Sequence, residues 1–531
     1  MGVFHHLLLR LQCAPMRSSR WRQTSPEKGA GRCDLCIFHS AVRMCARFVP
    51  PAAAAMALKQ EVEQMFASAV AAAQPYAAVS ARLKLEDDIL TVEHSSGEIN
   101  RPFLINMRDF ERVQIVGFGK ATPQMAAACR HIFSQLPNVE VEGHIVTKHG
   151  HAEGADLGGG NAEDNITWTE ASHPIPCESG VLGTEKIMSM LAGASENTLC
   201  VVCVSGGGSA LLVHPADGIT LDHLQQTNAA LLGCGATIQE INTFRKHLSA
   251  VKGGQLSRIA QPATVISLIL SDVIGDPLDV IASGPTVPDP STFSDCLRLV
   301  EKYRLMDSLP LAVLERLRSG EHQEVEETPK PGDACFEKCQ TCLIGNNAMA
   351  INAAEACARE LGFETLVLSS SVEGEARDVG QLFASIMREV ALFNRPLSAS
   401  PGCCIIAGGE TTVTVRGNGK GGRNQEMALS AAKALHNLGI QKLGVEFAFL
   451  AGGTDGTDGP TDAAGGLVDQ GTVSRAEAKG LSVDDYLSRN DSYNFFRELG
   501  DGLVKTGPTG TNVADVSLMV VRKSSSQGET E

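Results

Sequence analysis

The run SGGGSA at 205–210 follows the apolar stretch LCVVCVS. Its consecutive glycines, Gly206, Gly207 and Gly208, let a backbone approach a ligand closely, and Ser205 and Ser209 add two hydroxyls. That combination is a cradle for phosphoryl oxygens, against the plainer reading of a tight structural turn. VQIVGFGKA ends a second apolar run with Gly117, Gly119 and Lys120, which sets an ammonium at the mouth of a sheet where a phosphate or carboxylate can be held. The spacing is not that of a P-loop, because Gln114 stands where the first glycine belongs and Ala121 follows the lysine. In IQEINTFRKHLSAVKGGQL, Asn242, Arg245 and Lys246 fall at i, i+3 and i+4, a spacing that places all three on one helical face. TVISLILSDVIGDP places Ser271, Asp272 and Asp276 just past a very apolar strand, where a carboxylate can hold Mg2+ or take a proton from an alcohol.

The carboxy-terminal part is denser in such residues. CCIIAGGETTVTVRGNGKGGRNQEMAL supplies Glu410 and then a glycine-rich run leading to Arg423 and Asn424 at a helix start, where free amides suit an anion. Gly417, Gly419 and Gly422 satisfy G-x-G-x-x-G, but the acid about twenty residues on, Glu446, begins a strand instead of ending one, which argues against a dinucleotide site. EFAFLAGGTDGTDGP repeats Thr-Asp-Gly and sets Asp455 and Asp458 three apart beside backbone amides, a pattern for a hard cation or for a capped glycine loop.

These turns need strands and helices to position them. The strand candidates are 113–118, 143–147, 199–205, 264–271, 365–370, 403–408 and 446–452, with helical patterns between them, as in a largely parallel α/β sheet. Val379, Leu382, Phe383, Ile386, Val390 and Phe393 share one helix face. The acidic, proline-containing segment 319–338 reads as a surface loop, and NRPLSASPG at 394–402 reads as a linker between a domain at 56–398 and one at 403–525.

A net charge of −16 over 531 residues, with no basic run beyond residue 60, excludes a nucleic-acid or anionic-membrane surface. No apolar stretch is long enough to span a bilayer. Sixteen irregularly spaced cysteines, two of them in the buried-looking CVVC at 200–203, read as reduced thiols and not as a disulfide framework. Two separate CxxC pairs, Cys33 with Cys36 and Cys339 with Cys342, make a weak case for zinc. Residues 1–55 carry eight Lys/Arg against Glu27 and Asp34 and resemble a mitochondrial transit peptide, or else precede a second start at Met56, so the expected location is mitochondrial or cytoplasmic.

Taken in order, VGFGKA (116–121), SGGGSALL (205–212), ATIQEINTFRKHLSAVKGG (236–254), LILSDVIGDPLDVIASGPT (268–286), AGGETTV (407–413), GKGGRNQE (419–426), AGGTDGTDGPTDAAG (451–465), NDSYNFF (490–496) and GPTGTNVAD (507–515) resemble the motifs of the glycerate kinases of animals and many bacteria. The resemblance runs from about 58 to 522. It implies a Rossmann-like amino-terminal domain, a smaller α/β MOFRL domain, and phosphorylation of D-glycerate by ATP to 2-phosphoglycerate in the cleft between them. Lys120 would then lie near glycerate or the transferred phosphoryl group, and the 205–210 turn at the ATP phosphates. Arg245 and Arg423 would pair the substrate carboxylate or the γ-phosphate, and Asp272 or Asp455 would be the base or the Mg2+ anchor. A homodimer is left open. Two rivals remain: a hydroxypyruvate reductase, opposed by the misplaced acid, and a non-catalytic sensor of a phosphorylated metabolite, which would not need Asp272, Asp455 and Asp458 together.

Overall fold

Apolar runs rich in valine and isoleucine, with no polar alternation, belong in strands buried on both faces, and six of them form the first sheet in the computed structural model. These are β1 (Arg112–Phe118), β2 (Glu140–Lys148), β3 (Ile166–Ala171), β4 (Thr198–Val204), β5 (Thr264–Leu270) and β6 (Cys339–Gly345). Residues 51–93, 102–153, 155, 157 and 166–524 are described; most of the basic leader lies outside them, as do Cys33 and Cys36. All six strands are parallel, in the order β3-β2-β1-β4-β5-β6. Strand order therefore reverses between β1 and β4, and in sheets of this kind the crevice beyond the carboxyl ends at the reversal is where ligands bind. Lys120 follows β1, the serine-glycine turn follows β4, and Asp272 follows β5, the next strand over.

The second sheet is mixed: β7 (Glu364–Val372), β8 (Cys403–Gly409), β9 (Val445–Gly453), β10 (Gly465–Asp469), β11 (Leu503–Val504) and β12 (Asp515–Lys523), in the order β7-β8-β12-β9-β10-β11. Only β7 and β8 are parallel. A small antiparallel sheet at 83–106 completes the strands. The helices that matter below are α1 (Pro51–Ala72), α2 (Thr122–Phe133), α3 (Leu221–Gly233), α4 (Ile238–His247), α5 (Asn347–Glu360), α6 (Ala376–Phe393) and α7 (Arg423–Asn437).

All seven expected strands are present; β3, β6, β10, β11 and β12 are additional, and the division into layers differs from the expected one. Leu58, Val62, Met65, Phe66 and Ala69 of α1 recur at helical spacing and are buried. Phe66 closes on Gly452 of β9 so tightly that a Cβ there would lie 2.8 Å from its ring. α5 and β7 also join the second sheet, with Glu364 of β7 paired to Cys403 of β8 across the segment 394–402. That segment is thus a loop within the second layer, and the sheets part company near residue 346. Its prolines and serines remove periodicity, which is why it reads as a linker. One apolar core runs through both layers, from Val201 and Ile266 through Ile351 and Ala354 of α5 to Ile406 and Leu518. A fragment ending at 398 would therefore strip α6 of its partner α7 and expose the part of α1, Phe66 included, that packs on β9 and β12. It should be insoluble or molten, and a folded monomer in size-exclusion chromatography and near-UV circular dichroism would contradict this packing.

The buried face of α6 is rotated from the expected one. Gly380 and Ala384 let it lie against α7, together with Phe383 and Met387, while Leu382 and Phe393 face outward. Segment 319–338 is likewise not purely a surface loop. Glu327 accepts a hydrogen bond from His247 Nε2 at 2.8 Å, and buried Thr328 donates to Asp289 at 2.9 Å, so the loop braces the base of α4. Every described cysteine is a free thiol, and among the described residues no helix is long and apolar enough to cross a membrane.

Candidate functional site

Three adjacent strand ends meet because their glycines leave no room for side chains. Gly119, at φ +137°, lies where a Cβ would stand 2.2 Å from Ser205 Oγ. The two turns are also joined by hydrogen bonds, Lys120 N to Gly206 O at 3.0 Å and Ala121 N to Ser205 Oγ at 3.0 Å. A Cβ on Gly206 would stand 2.1 Å from the Asp272 carboxylate. Lys120, the 205–210 turn and Asp272 are thereby brought to one point. The Lys120 ammonium makes no ion pair within 4 Å among the described residues, and its charge bears on Asp272. Burial pushes the Asp272 carboxyl up to about 6; Lys120 pulls it down, and Glu410 and Asp455 push it further up. Beside the turn, burial and then Lys120 push His173 down to about 4, so its ring is neutral at pH 7.

The second layer supplies the facing wall. Asn512 Nδ2 donates to Asp272 at 3.2 Å. Arg423, the first residue of α7, grips Asp515 with Nε at 2.6 Å and Nη2 at 2.9 Å, and reaches Glu410 with Nη1 at 2.7 Å. Burial works against that guanidinium, but Asp515 and Glu410 outweigh it and hold it charged. Three of its five N–H donors are spent on these carboxylates, leaving two for a ligand anion. Burial raises the Glu410 carboxyl as well. Asp455 is partly exposed and accepts from Thr457 N at 2.9 Å.

Asp458 has a different task. Its two oxygens accept from the backbone amides of Asn424 at 3.1 Å and Gln425 at 2.8 Å, so it caps the free amino end of α7, where the preceding Gly422 offers no side chain. Burial pushes it up to about 7 against the pull of those amides. Asn424 is itself buried in this cap, so neither residue offers a ligand surface. Among the described residues no three acidic, histidine or cysteine side chains converge as a ready-made metal cage. Asp272 and Asp455 lie within electrostatic reach of one another, which fits a cation that takes one or two carboxylates and completes its shell with phosphate oxygens and water.

Beneath the turn lies a cavity of about 650 Å³, lined by residues 205–210, His173, α3, α4 and Asp272. Asn242 and Arg245 reach it. Lys246 does not, because one residue further along a helix turns the side chain by about 100°. It is buried in ion pairs with Asp279 at 3.1 Å and Asp289 at 3.2 Å. Ala282, Ser283 and Gly284 are left-handed in succession, at φ 51°, 64° and 59°, a costly conformation for the two non-glycine residues. It delivers Ser283 Oγ to Asn242 Oδ1 at 3.1 Å and to Ser209 Oγ at 3.3 Å, tying α4 to the turn.

The glycines of the formal dinucleotide motif serve packing. A Cβ on Gly417 would stand 2.4 Å from Arg489 Cα, and one on Gly419 the same distance from Asp491 Cβ. No strand runs directly into them. Sequence reasoning did not single out His173, Lys252, Asn512 or Asp515 as site residues. The last two stand inside the motif GPTGTNVAD, and Lys252 inside AVKGG, so the signal was present but without a partner in view.

Residues 61–318 match a domain of unknown function, DUF4147, and residues 403–515 match the MOFRL family. The chain is 40% identical over 477 residues to a protein of Pyrococcus horikoshii named glycerate 2-kinase, covering 90% of this chain and all of that one. It is 42% identical over 414 residues to one of Thermotoga maritima named D-glycerate 2-kinase, covering 78% and 91%. A protein of Agrobacterium vitis with the provisional name hydroxypyruvate reductase is 41% identical over 413 residues, covering 77% and 87%. A crystal structure of glycerate kinase from Thermotoga maritima superposes with a TM-score of 0.74 at 39% identity, covering 88% of this chain and all of that one.

Proposed function

We propose, from the premise that this chain belongs to the glycerate kinase family and is an ATP-dependent kinase, that it phosphorylates D-glycerate on its 2-hydroxyl to give 2-phosphoglycerate. The observation that carries the reading is the meeting of Lys120, the 205–210 turn and Asp272 at the point where strand order reverses, opposite Arg423. Phosphoryl transfer asks for positioning and charge neutralisation, and these residues supply both. The turn amides hold the phosphate chain, Lys120 neutralises the oxygens of the group in flight, and the remaining donors of Arg423 orient the glycerate carboxylate. The 2-hydroxyl oxygen bonds to the γ-phosphorus as the bond to the bridging oxygen breaks. Its proton passes to Asp272 and ADP leaves. Mg2+ held by Asp455 and phosphate oxygens would supply further neutralisation of the phosphate charge.

The test is a set of parallel incubations with ATP and Mg2+ and either D- or L-glycerate, with phosphorus NMR separating 2- from 3-phosphoglycerate. A further incubation pairs hydroxypyruvate with reduced nicotinamide cofactor. Nicotinamide oxidation without ADP release would overturn the kinase reading, and 3-phosphoglycerate would overturn the regiochemistry. The basic, acid-poor leader supports import into mitochondria; a reporter fused after residue 55 that stayed in the cytosol would argue for the start at Met56.

A further inference from the structure

We propose that the nucleoside of ATP occupies the 650 Å³ cavity between the 205–210 turn and helices α3 and α4, with Arg245 and Lys252 as the cations that receive its phosphate chain. This rests on the reading of the chain as an ATP-dependent kinase.

The charges of the cavity carry the argument. Among the described residues Arg245 bonds only to neutral groups, Asn242 Oδ1 at 3.3 Å and Asn228 Oδ1 at 2.7 Å. Lys252 is 4% exposed and donates to two backbone carbonyls, Ser209 O at 2.9 Å and Leu212 O at 2.6 Å. Neither has a carboxylate within 4 Å among the described residues. Burial pushes Lys252 down to about 7, and the neighbouring Arg245 charge adds to the effect. The buried Lys246 beside them is, by contrast, paired with Asp289 at 3.2 Å. Two like charges close together in a desolvated wall are unfavourable until an anion lies between them and solvent. Because Lys252 is bonded to the carbonyls at the end of the serine-glycine turn, that anion lies along the turn.

Shape and polarity select the rest of the ligand. The cavity falls in the range of about 300–1,000 Å³ typical of small-molecule sites. Beyond the two cations its walls are Leu224, Leu231, Ile238, Leu248 and Ile281. A three-carbon acid with oxygen on every carbon gains nothing from such walls, whereas the flat face of a heteroaromatic base does. Thr227 also lines this cavity, and its buried Oγ1 has no hydrogen-bond partner among the described residues. A base edge or ribose hydroxyl satisfies it. Asp272 also lines the cavity and lies against Gly206 at the start of the turn whose end holds Lys252, so a phosphate chain starting at Arg245 and Lys252 and following the turn ends beside the proposed base.

The test is calorimetric titration of the full-length protein with ADP, adenosine and D-glycerate, each alone. Lys252→Met should weaken ADP by about 10- to 100-fold, the loss of one charge-assisted hydrogen bond, and leave adenosine and glycerate within about twofold. Leu232→Trp fills the cavity lip from a position already 60% exposed, so it should fold normally and weaken both ADP and adenosine. Loss of glycerate affinity with ADP unchanged would assign the cavity to the acceptor and overturn the proposal. ADP affinity unchanged in Leu232→Trp overturns it too, even if Lys252→Met fails to fold. Wild-type protein that phosphorylates glycerate while both variants bind ADP normally refutes the cavity assignment alone. Variants that behave as expected in a protein without glycerate turnover refute only the kinase reading.

Discussion

Asp272→Asn should lower glycerate-dependent ADP release by about a hundredfold to ten-thousandfold, the usual contribution of a positioned general base, while leaving the protein folded. Asparagine keeps the shape and can still meet Asn512 at the 3.2 Å contact, so the layers stay together. What is lost is the capacity to take a proton. The wild-type pH profile should show the same group. With its carboxyl pushed up to about 6 by burial, kcat/KM should fall as pH drops through 6, and Asp272→Asn should lack that limb. The stability effect runs the other way. A carboxyl whose folded pKa lies above its unfolded value of about 3.9 favours the folded state in its neutral form, and that contribution is lost as pH rises from about 4 to 6. Asp272→Asn should therefore melt no lower than wild type at pH 8. Unchanged turnover would remove Asp272 as base; a large drop in Tm would recast it as a structural bridge between the layers.

The second large effect is expected at Lys120. Its ammonium is not committed to an ion pair within 4 Å among the described residues, yet it is fixed by a turn whose backbone is bonded to Gly206 and Ser205. Lys120→Ala should remove transition-state neutralisation worth about a hundredfold to a thousandfold in kcat, with KM for ATP changed much less. The substitution should also move the acidic limb upward, because Lys120 is the charge that pulls Asp272 down. A merely structural lysine would not move that limb. Lys120→Arg, which restores the charge with different reach, should return the limb to lower pH while recovering only part of the rate.

Much of this site was legible because its signals are local. A glycine-rich turn after a buried apolar run can be read from a dozen residues, and so the ends of β1, β4 and β5 were located together with Lys120, Ser205 and Asp272. Residues whose meaning depends on a distant partner were not legible in the same way. Lys246 and Arg245 are equivalent candidates until Asp289, more than forty positions later, claims one of them. Asp458 reads as a cation ligand until α7 is seen to end on it. Lys252 gave no sign that it was buried, since burial is set by how α3, α4 and the turn close over it. The boundary between layers failed for a related reason: α1 and β12 meet through packing, and no pattern in either segment names the other.

That meeting bears on how the chain acquires its structure during synthesis. Glu61 of α1 pairs with Arg522 at the end of β12 at 3.1 Å, so the first helix of the folded body is completed by its last strand. A ribosome releases α1 first, and its row of Leu58, Val62, Met65 and Phe66 must wait for α5, β9 and finally β12 to cover it, the last of these more than four hundred residues later. Loop closure over that span is slow and leaves an apolar surface open to chaperones. The same adjacency means that the body can be rewired: a permutant joining 523 to 51 through a short linker and opened in the exposed turn near 394 would make α1 and β12 neighbours in sequence and shorten their search.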